Sequence, residues 1–444
     1  MLPDTICKTV RQHNMGRIPE EDMQKFQEIA SDYSKVKNYV YARYSGIGSL
    51  GKLYPGYTVQ NEMTSCGLRG QLGMPSVYFY LAVFDALGDI KCQWTRTKTK
   101  LLELIAANGS LAEAEKHYLR FLLKVNNAFE AALNQKPMEL PKGIQKQHDE
   151  LEQQVDGAKL QRYLCRQVRK HHLSRGKPHT DAADGFSISE RAYRYGDHGI
   201  YISAKEKRRR VFVLLTDNNQ YASQLYISLF PDEGRIEIKA PVNVSVRQHA
   251  DYDNYVGAAL GMYTMLTTDT GHAYGAELGK YQMEYAAWVR EQASSYSRNR
   301  EDNPGRKKYQ AKKKRYEERL HSYINQELNR FLREERPKTV YIARPPKPQG
   351  GGKNKKINQS VSMWQRGYIR SRLNQKCREQ AVELAEVLGK GIGTECSCCG
   401  ASGEKKKGIF SCAVCGYSAE EKTNTARNVL KRGTEGKILR EKRS

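Results

Sequence analysis

No stretch of this sequence approaches the roughly 18 consecutive apolar residues that a membrane-spanning helix requires. Its first residues, MLPDTICKTVRQHN, also lack the basic-then-apolar layout of a secretory signal. A cytoplasmic protein with no membrane partner is therefore expected. Acid is scarce as well: 49 Asp and Glu stand against 74 Lys and Arg, a net charge of +25. Such an excess suits a polyanion better than a neutral metabolite, and nucleic acid ranks ahead of an anionic membrane surface. The cysteines are not spread as a disulfide framework would be, since five of the ten crowd between positions 396 and 415, which suggests a metal site. The others (Cys7, Cys66, Cys92, Cys165 and Cys377) are expected to be small buried apolar side chains. A chain of 444 residues has room for two or more domains.

Residues 19–175 carry helical periodicity, as in IPEEDMQKFQEIASDYSKVKNYVYARY and SLAEAEKHYLRFLLKVNNAFEAALNQ. From about 185 the pattern changes to short β-branched or aromatic runs separated by Gly, Asn and Asp: FSISERAYRY, GIYISA, RRVFVLLT, ASQLYISLF and RIEIKA. These predict antiparallel strands in a small barrel or sheet. The segment VGAALGMYTMLTTDTGHAYG predicts a hairpin turning at Asp269, Thr270 and Gly271. A long helical stretch interrupted near NREDNPG follows, and its second part places Lys and Arg between apolar residues at helical spacing. Next come a lone strand KTVYIARPP, a glycine loop KPQGGGKNKK, and a helix expected to run from SVSMWQRGYIR through to AEVLG. Strands alternating with helices here predict an α/β layer.

The segment CSCCGASGEKKKGIFSCAVC places Cys396 with Cys399, and Cys412 with Cys415, as two C-x2-C pairs with twelve residues between them. Two such knuckles complete a tetrahedral four-sulfur set suited to Zn(II), and a saturated ion of this kind is structural. Cys398 is a fifth thiol that could replace a neighbour. Disulfide and iron–sulfur pairing are the alternatives.

Taken in order, these parts resemble the transposon-encoded TnpB proteins and the compact type V CRISPR effectors. The resemblance implies an α+β multidomain fold: a first wedge strand at 1–18, a helical recognition lobe at 19–180, and a wedge-like antiparallel β-barrel at 181–250. It further implies a RuvC-like (RNase H-like) α/β domain at 251–394 with a basic helical insertion at about 276–336, a zinc ribbon at 395–417, and a last RuvC-like segment with a basic tail at 418–444. A prokaryotic, nucleoid-associated protein is implied, with a guide RNA and a double-stranded target DNA bearing a short flanking motif as partners. Host transcription or transposition machinery is a further candidate partner. The flanking motif would be read near GQLGMPSVYFYL and the helix holding Asn38, Tyr39 and Tyr41.

The nuclease of that family needs three carboxylates to hold two divalent metals. The corresponding places here carry Ala259 in GAALG, Ala343 in VYIARP and Lys422 in EKTNTARN. Methyl groups cannot hold Mg(II) and an ammonium repels it, so Mg is not expected at this site. A displaced set drawn from Asp253, Asp269, Glu420 and Glu421 is one escape, and artificial replacement of the acids by alanine is another. The binding residues implied are Lys205, Lys207, Arg208, Arg209 and Arg210 in KEKRRR; Arg306, Lys307, Lys308, Lys312 and Lys313 in the basic helix; and Trp364, Arg366, Arg370 and Arg372. The resulting expectation is an RNA-guided DNA-binding protein with a nuclease-dead RuvC-like domain, acting by occupancy. The alternatives are an active metal-dependent RNA-guided endonuclease and an RNA-binding zinc-ribbon protein.

Overall fold

The computed structural model describes the chain apart from residues 1–4, 55, 173–175, 177, 297–303, 345–363 and 440–444. The chain divides into two compact units, Cys7–Val242, and Asn243–Ser444 together with Met1–Ile6. No helix among the described residues is long and apolar enough to cross a membrane.

Strand β1 (Thr5–His13), in the first unit from Cys7 onward, leads into helices α1 (Glu20–Tyr44), α2 (Leu50–Leu53), α3 (Tyr57–Ser65), α4 (Leu68–Leu72), α5 (Ser76–Ala107), α6 (Glu113–Lys124), α7 (Asn126–Asn134), α8 (Lys142–Glu152) and α9 (Gly157–His171). Helix α1 begins after Pro19 with Glu20, Glu21 and Asp22 in its first turn and ends with Arg43, charges that complement the helix dipole. Its Met23, Phe26, Ala30, Tyr33, Val36 and Val40 recur at helical spacing, are buried, and share one core with the stripe Tyr78, Phe79, Ala82, Val83, Ala86 and Ile90 of α5. The hydroxyl of Tyr33 and, at 2.7 Å, that of Ser187 both donate to Asp85. Just past α9, His172 stacks on Trp94 with ring centroids 3.5 Å apart.

Strands β2 (Gly185–Ile188), β3 (Tyr193–Gly196), β4 (Gly199–Ser203), β5 (Arg210–Leu214), β6 (Leu225–Phe230) and β7 (Arg235–Ser245) follow. The run FSISERAYRY is two strands, β2 and β3, parted by a short 3-10 turn at Glu190–Ala192. No closed barrel forms among the described residues. The strands make a four-stranded sheet ordered β1-β7-β6-β2 and a three-stranded sheet ordered β3-β4-β5, joined by an isolated bridge between Asn14 and Leu215.

The second unit holds β8 (Asn254–Leu260), β9 (Leu266–Thr268), β10 (Ala273–Tyr274), α10 (Leu278–Tyr296), α11 (Pro304–Glu335), β11 (Pro337–Ala343), α12 (Arg366–Glu379), β12 (Glu383–Val387), β13 (Glu404–Lys406), β14 (Ile409–Ser411), β15 (Ser418–Glu420) and α13 (Glu421–Thr434). A five-stranded mixed sheet runs β10-β9-β8-β11-β12, with β8, β11 and β12 parallel. The expected single hairpin is two: β8 returns to β9 through residues 261–265, and the Asp269 turn joins β9 to β10. The helix expected to continue to AEVLG ends at Glu379. Ala381 takes a left-handed φ of 54° and ELAEV becomes β12, because Leu384, Ala385 and Val387 gain more as sheet partners of β11 than as a last helical turn. The glycine loop lies outside the described residues.

Both faces of this sheet are covered. Leu320, Ile324, Leu328 and Phe331 of α11 with Leu373 and Cys377 of α12 cluster with Val256, Ala258, Val340 and Ile342. On the other face Val429 of α13 packs with Tyr341, Ala385 and Val387. A Cβ at Gly257 would lie 2.3 Å from the carbonyl oxygen of Ala426, so α13 approaches β8 at a distance only glycine allows. Gly257→Ala should therefore destabilise the second unit by about 1–3 kcal/mol. Gly88→Ala, on an exposed part of α5 with open space around it, should instead stabilise the first by about 0.5–1 kcal/mol. Chemical denaturation of each variant beside the wild type checks both signs.

Candidate metal centre and nucleic-acid interface

The thiols of Cys396, Cys399, Cys412 and Cys415 all lie within 4.8 Å of one another. The Cys396–Cys415 and Cys399–Cys412 sulfur pairs are each 3.6 Å apart. Tetrahedral Zn(II) with Zn–S bonds of about 2.3 Å requires sulfur separations of roughly 3.8 Å, so the four donors fit such an ion. Each knuckle closes on a glycine with a left-handed backbone, Gly400 at φ 79° and Gly416 at φ 72°. The N–H of Gly400 donates to the carbonyl of Cys396 at 2.9 Å, and that of Gly416 to the carbonyl of Cys412 at 3.0 Å. Those two glycines were legible in the sequence as C-x2-C-G, twice. Backbone N–H groups of Cys415 and Val414 favour the Cys412 thiolate and, against burial, pull that thiol down to about 7. Cys398 is exposed and outside the cluster. Of the scattered cysteines only Cys377 is buried, and burial pushes its thiol up to about 12. Cys7 and Cys92 are exposed, and Cys66 and Cys165 are half-buried, contrary to expectation.

Helix α13 grips the segment that enters this cluster. The amide of Asn424 donates to the carbonyl of Glu395 at 2.8 Å, and its oxygen accepts from the N–H of Ser397 at 2.9 Å. Asn428 donates to the carbonyls of Glu395 and Ile392 at 2.7 and 3.0 Å. Both asparagines are buried.

Ala259 lies near the C-terminal end of β8, Ala343 ends β11, and Lys422 lies in the first turn of α13. Ile342 pairs with Ala258, so Ala259 and Ala343 stand level in neighbouring strands, on the face that α13 covers. Lys422 is in the first turn of α13, and a Cβ at Gly261 would lie 3.8 Å from its Cε. The nearby acids have other engagements. Asp269 accepts the N–H of Gly257 at 2.8 Å, and burial raises its carboxyl above the ordinary value. Glu420 accepts the hydroxyl of Thr423 at 3.0 Å, and Glu421 pairs with Lys405 at 2.7 Å. Asp253 is exposed just before β8 begins, at the opposite end of that strand. Among the described residues, the four cysteines are the only group of three or more His, Cys, Asp or Glu side chains placed to hold a metal ion.

The basic residues divide into two groups. Lys207, Arg208, Arg209 and Arg210 are exposed at the β4–β5 hairpin. Lys205 is an anchor: its Nζ lies 2.5 Å from buried Asp32, which Lys35 also reaches at 2.9 Å. Burial pushes the Asp32 carboxyl up, but the two lysines outweigh burial and hold it below its ordinary value. Arg370 pairs with Glu386, and Arg372 donates to Asn325 at 2.6 Å and to Gln375 at 2.5 Å. Each of these arginines thus has partners within the second unit. Tyr368 stacks on His321 with centroids 3.7 Å apart, while Trp364 is half-buried under the guanidinium of Arg366 at 5.6 Å. Lys308 and Lys312 are exposed on α11 and Lys313 is half-exposed. Arg306 and Lys307 belong to its first turns, and their side chains lie outside the described ones.

The chain is similar to compact CRISPR effectors. It aligns over 96% of its residues and 99% of the other chain with Cas12f1 in a complex with sgRNA and target DNA, at 12% identity and a TM-score of 0.44. With the mini-RNA-guided endonuclease CRISPR-Cas_phi3 the alignment covers 97% and 92%, at 9% identity and a TM-score of 0.46. With CasPhi-2 (Cas12j) bound to crRNA it covers 100% of both chains, at 10% identity and a TM-score of 0.44. No family model and no curated protein matches the chain.

Purified protein should carry about one zinc per chain by elemental analysis. Cys399→Ser should release it and lower the melting temperature, whereas Cys398→Ser should do neither. Lys205→Ala should cost about 1–2 kcal/mol by leaving Asp32 with one partner. Because the Asp32 carboxyl is held low, the stabilisation is complete above the ordinary Asp value and fades as pH falls through the depressed one. Wild type and variant should therefore converge in acid denaturation.

Proposed function

We propose that this protein binds a guide RNA and a matching duplex DNA, and that its RuvC-like domain does not cut. In this reading the first unit contains the helical recognition lobe and wedge strands, and the second is the RuvC-like domain with its zinc ribbon. The observation that carries it is the edge where β8, β11 and α13 meet: the three positions that would hold carboxylates are Ala259, Ala343 and Lys422, and the neighbouring acids are bound elsewhere. Two-metal phosphodiester cleavage needs acids converging from several elements, and metal sites tolerate little misplacement. Asp269 is fixed to the backbone of Gly257 and Glu421 to Lys405, which argues against a displaced set. The exposed basic hairpin and the basic face of α11 support a polyanionic partner. Function would follow from occupancy, with a bound complex obstructing transcription or recruiting other machinery.

A guide-loaded complex should protect its matched target from DNase and leave supercoiled plasmid intact in Mg(II) or Mn(II). Guide-dependent nicking would overturn the reading in favour of an active endonuclease. Failure to protect the target while RNA is still bound would favour an RNA-binding protein. Ala259→Asp alone should not restore cutting, and the triple change with Ala343→Glu and Lys422→Asp is the smallest with the necessary charge.

A further inference from the structure

The sequence run RRVFVLL is apolar on both strand faces, yet only one face of β5 is buried: Val211 and Val213 join the core, while Phe212 and Leu214 are 40% and 39% exposed. A strand that carries a large ring into solvent calls for an explanation on its outer face. There the register sets Arg194 of β3 opposite Tyr201 of β4, and Tyr201 opposite Phe212 of β5. The Tyr201 and Phe212 rings lie 4.8 Å apart, and the Arg194 guanidinium sits 5.2 Å from the Tyr201 ring. A Cβ at Gly199 would lie 2.6 Å from the Phe212 ring, so the glycine lets that ring lie against the strands with its other side outward. Arg210, exposed and on the same face of β5, pairs with Ser203. A cleft of about 440 Å³ opens at the β3–β4 turn, lined by Asp197, His198, Asp217, Asn218, Asn219 and Gln220 among others.

We propose that the outer face of β3, β4 and β5 is a stacking platform for an unpaired stretch of RNA. Tyr201 and Phe212 stack bases, Arg194 and Arg210 meet phosphates, and the amides of Asn218, Asn219 and Gln220 meet the edge of a base in the cleft. Aromatic rings on a sheet flanked by cations suit splayed single-stranded bases, since every base has a π face. RNA offers such bases in loops and ends, whereas duplex DNA must first extrude them. The surplus of cations, with Lys207, Arg208 and Arg209 in the adjoining loop, is complementary to a polyanion and opposes a basic or neutral protein partner. This platform rests on the proposed function, because it names the part of the guide that the sheet holds.

The test uses the full-length protein and a short unstructured RNA carrying 2-aminopurine, read by anisotropy and by quenching of the base. Tyr201→Leu combined with Phe212→Leu should weaken binding about tenfold or more and relieve the quenching. Tyr201→Phe combined with Phe212→Tyr should retain both. If the leucine pair lowers the melting temperature but leaves affinity and quenching unchanged, the rings only cover Gly199 and the platform is refuted while RNA binding stands. Wild-type protein that binds no RNA at all refutes the platform and the proposed function together. Single-stranded DNA of the same sequence that binds as tightly, with the same sensitivity to the leucine pair, overturns the assignment to RNA.

Discussion

The contact between α13 and the central strands is what the rest of the second unit depends on. At Gly257 the strand meets the helix backbone directly, and at Gly433 the helix lies against the ring of Tyr341, where a Cβ would come within 2.3 Å of Cδ1. Two glycines on opposite partners lower the helix onto the sheet. Its first turn, with Lys422, then reaches the strand ends, and Asn424 and Asn428 come within hydrogen-bonding distance of the chain entering the cysteine cluster. A bulkier residue at 257 would lift the helix and disturb the strand edge and the entry to the cluster together, although they are far apart in sequence.

The cysteine cluster was legible because its chemistry is local: two C-x2-C pairs fix the ligand set before any tertiary contact is known. The parallel sheet was half legible. AEVLG reads as helix when taken alone, and only the partner strand, β11, makes ELAEV a strand. Likewise the clustered Lys and Arg in KEKRRR suggest equivalent side chains, yet Lys205 points back to Asp32 while its neighbours face solvent. Arg370 and Arg372 are a parallel case. Charge in a sequence indicates that a cation is present, and the carboxylate or amide it meets is brought by a distant segment.

The asparagines of NTARN illustrate the same limit from the other side. As a motif they resemble part of a nuclease signature, and in the fold they are buried tethers that satisfy carbonyls of Glu395 and Ile392. A backbone carbonyl left without a partner in that setting would cost on the order of 1–3 kcal/mol. The asparagines therefore hold the segment that enters the cysteine cluster, and that task does not depend on which residue stands at position 422.

On the proposed reading, the three replacements at the strand edge belong together. Carboxylates crowded at a half-buried edge repel one another unless divalent cations hold them, and each is costly to desolvate. Ala259 is 4% exposed, so an aspartate there would be among the most costly of the three without metal. Once one ligand is lost and the metal is bound weakly, the remaining acids become a liability to the fold, and replacing them with methyl groups relieves it. Lysine at 422 is consistent with that sequence of losses: its ammonium is tolerable beside the strand ends only when no cation is to be held there, and a positive charge at an edge facing a polyanion can contribute to binding after it has ceased to be compatible with cutting.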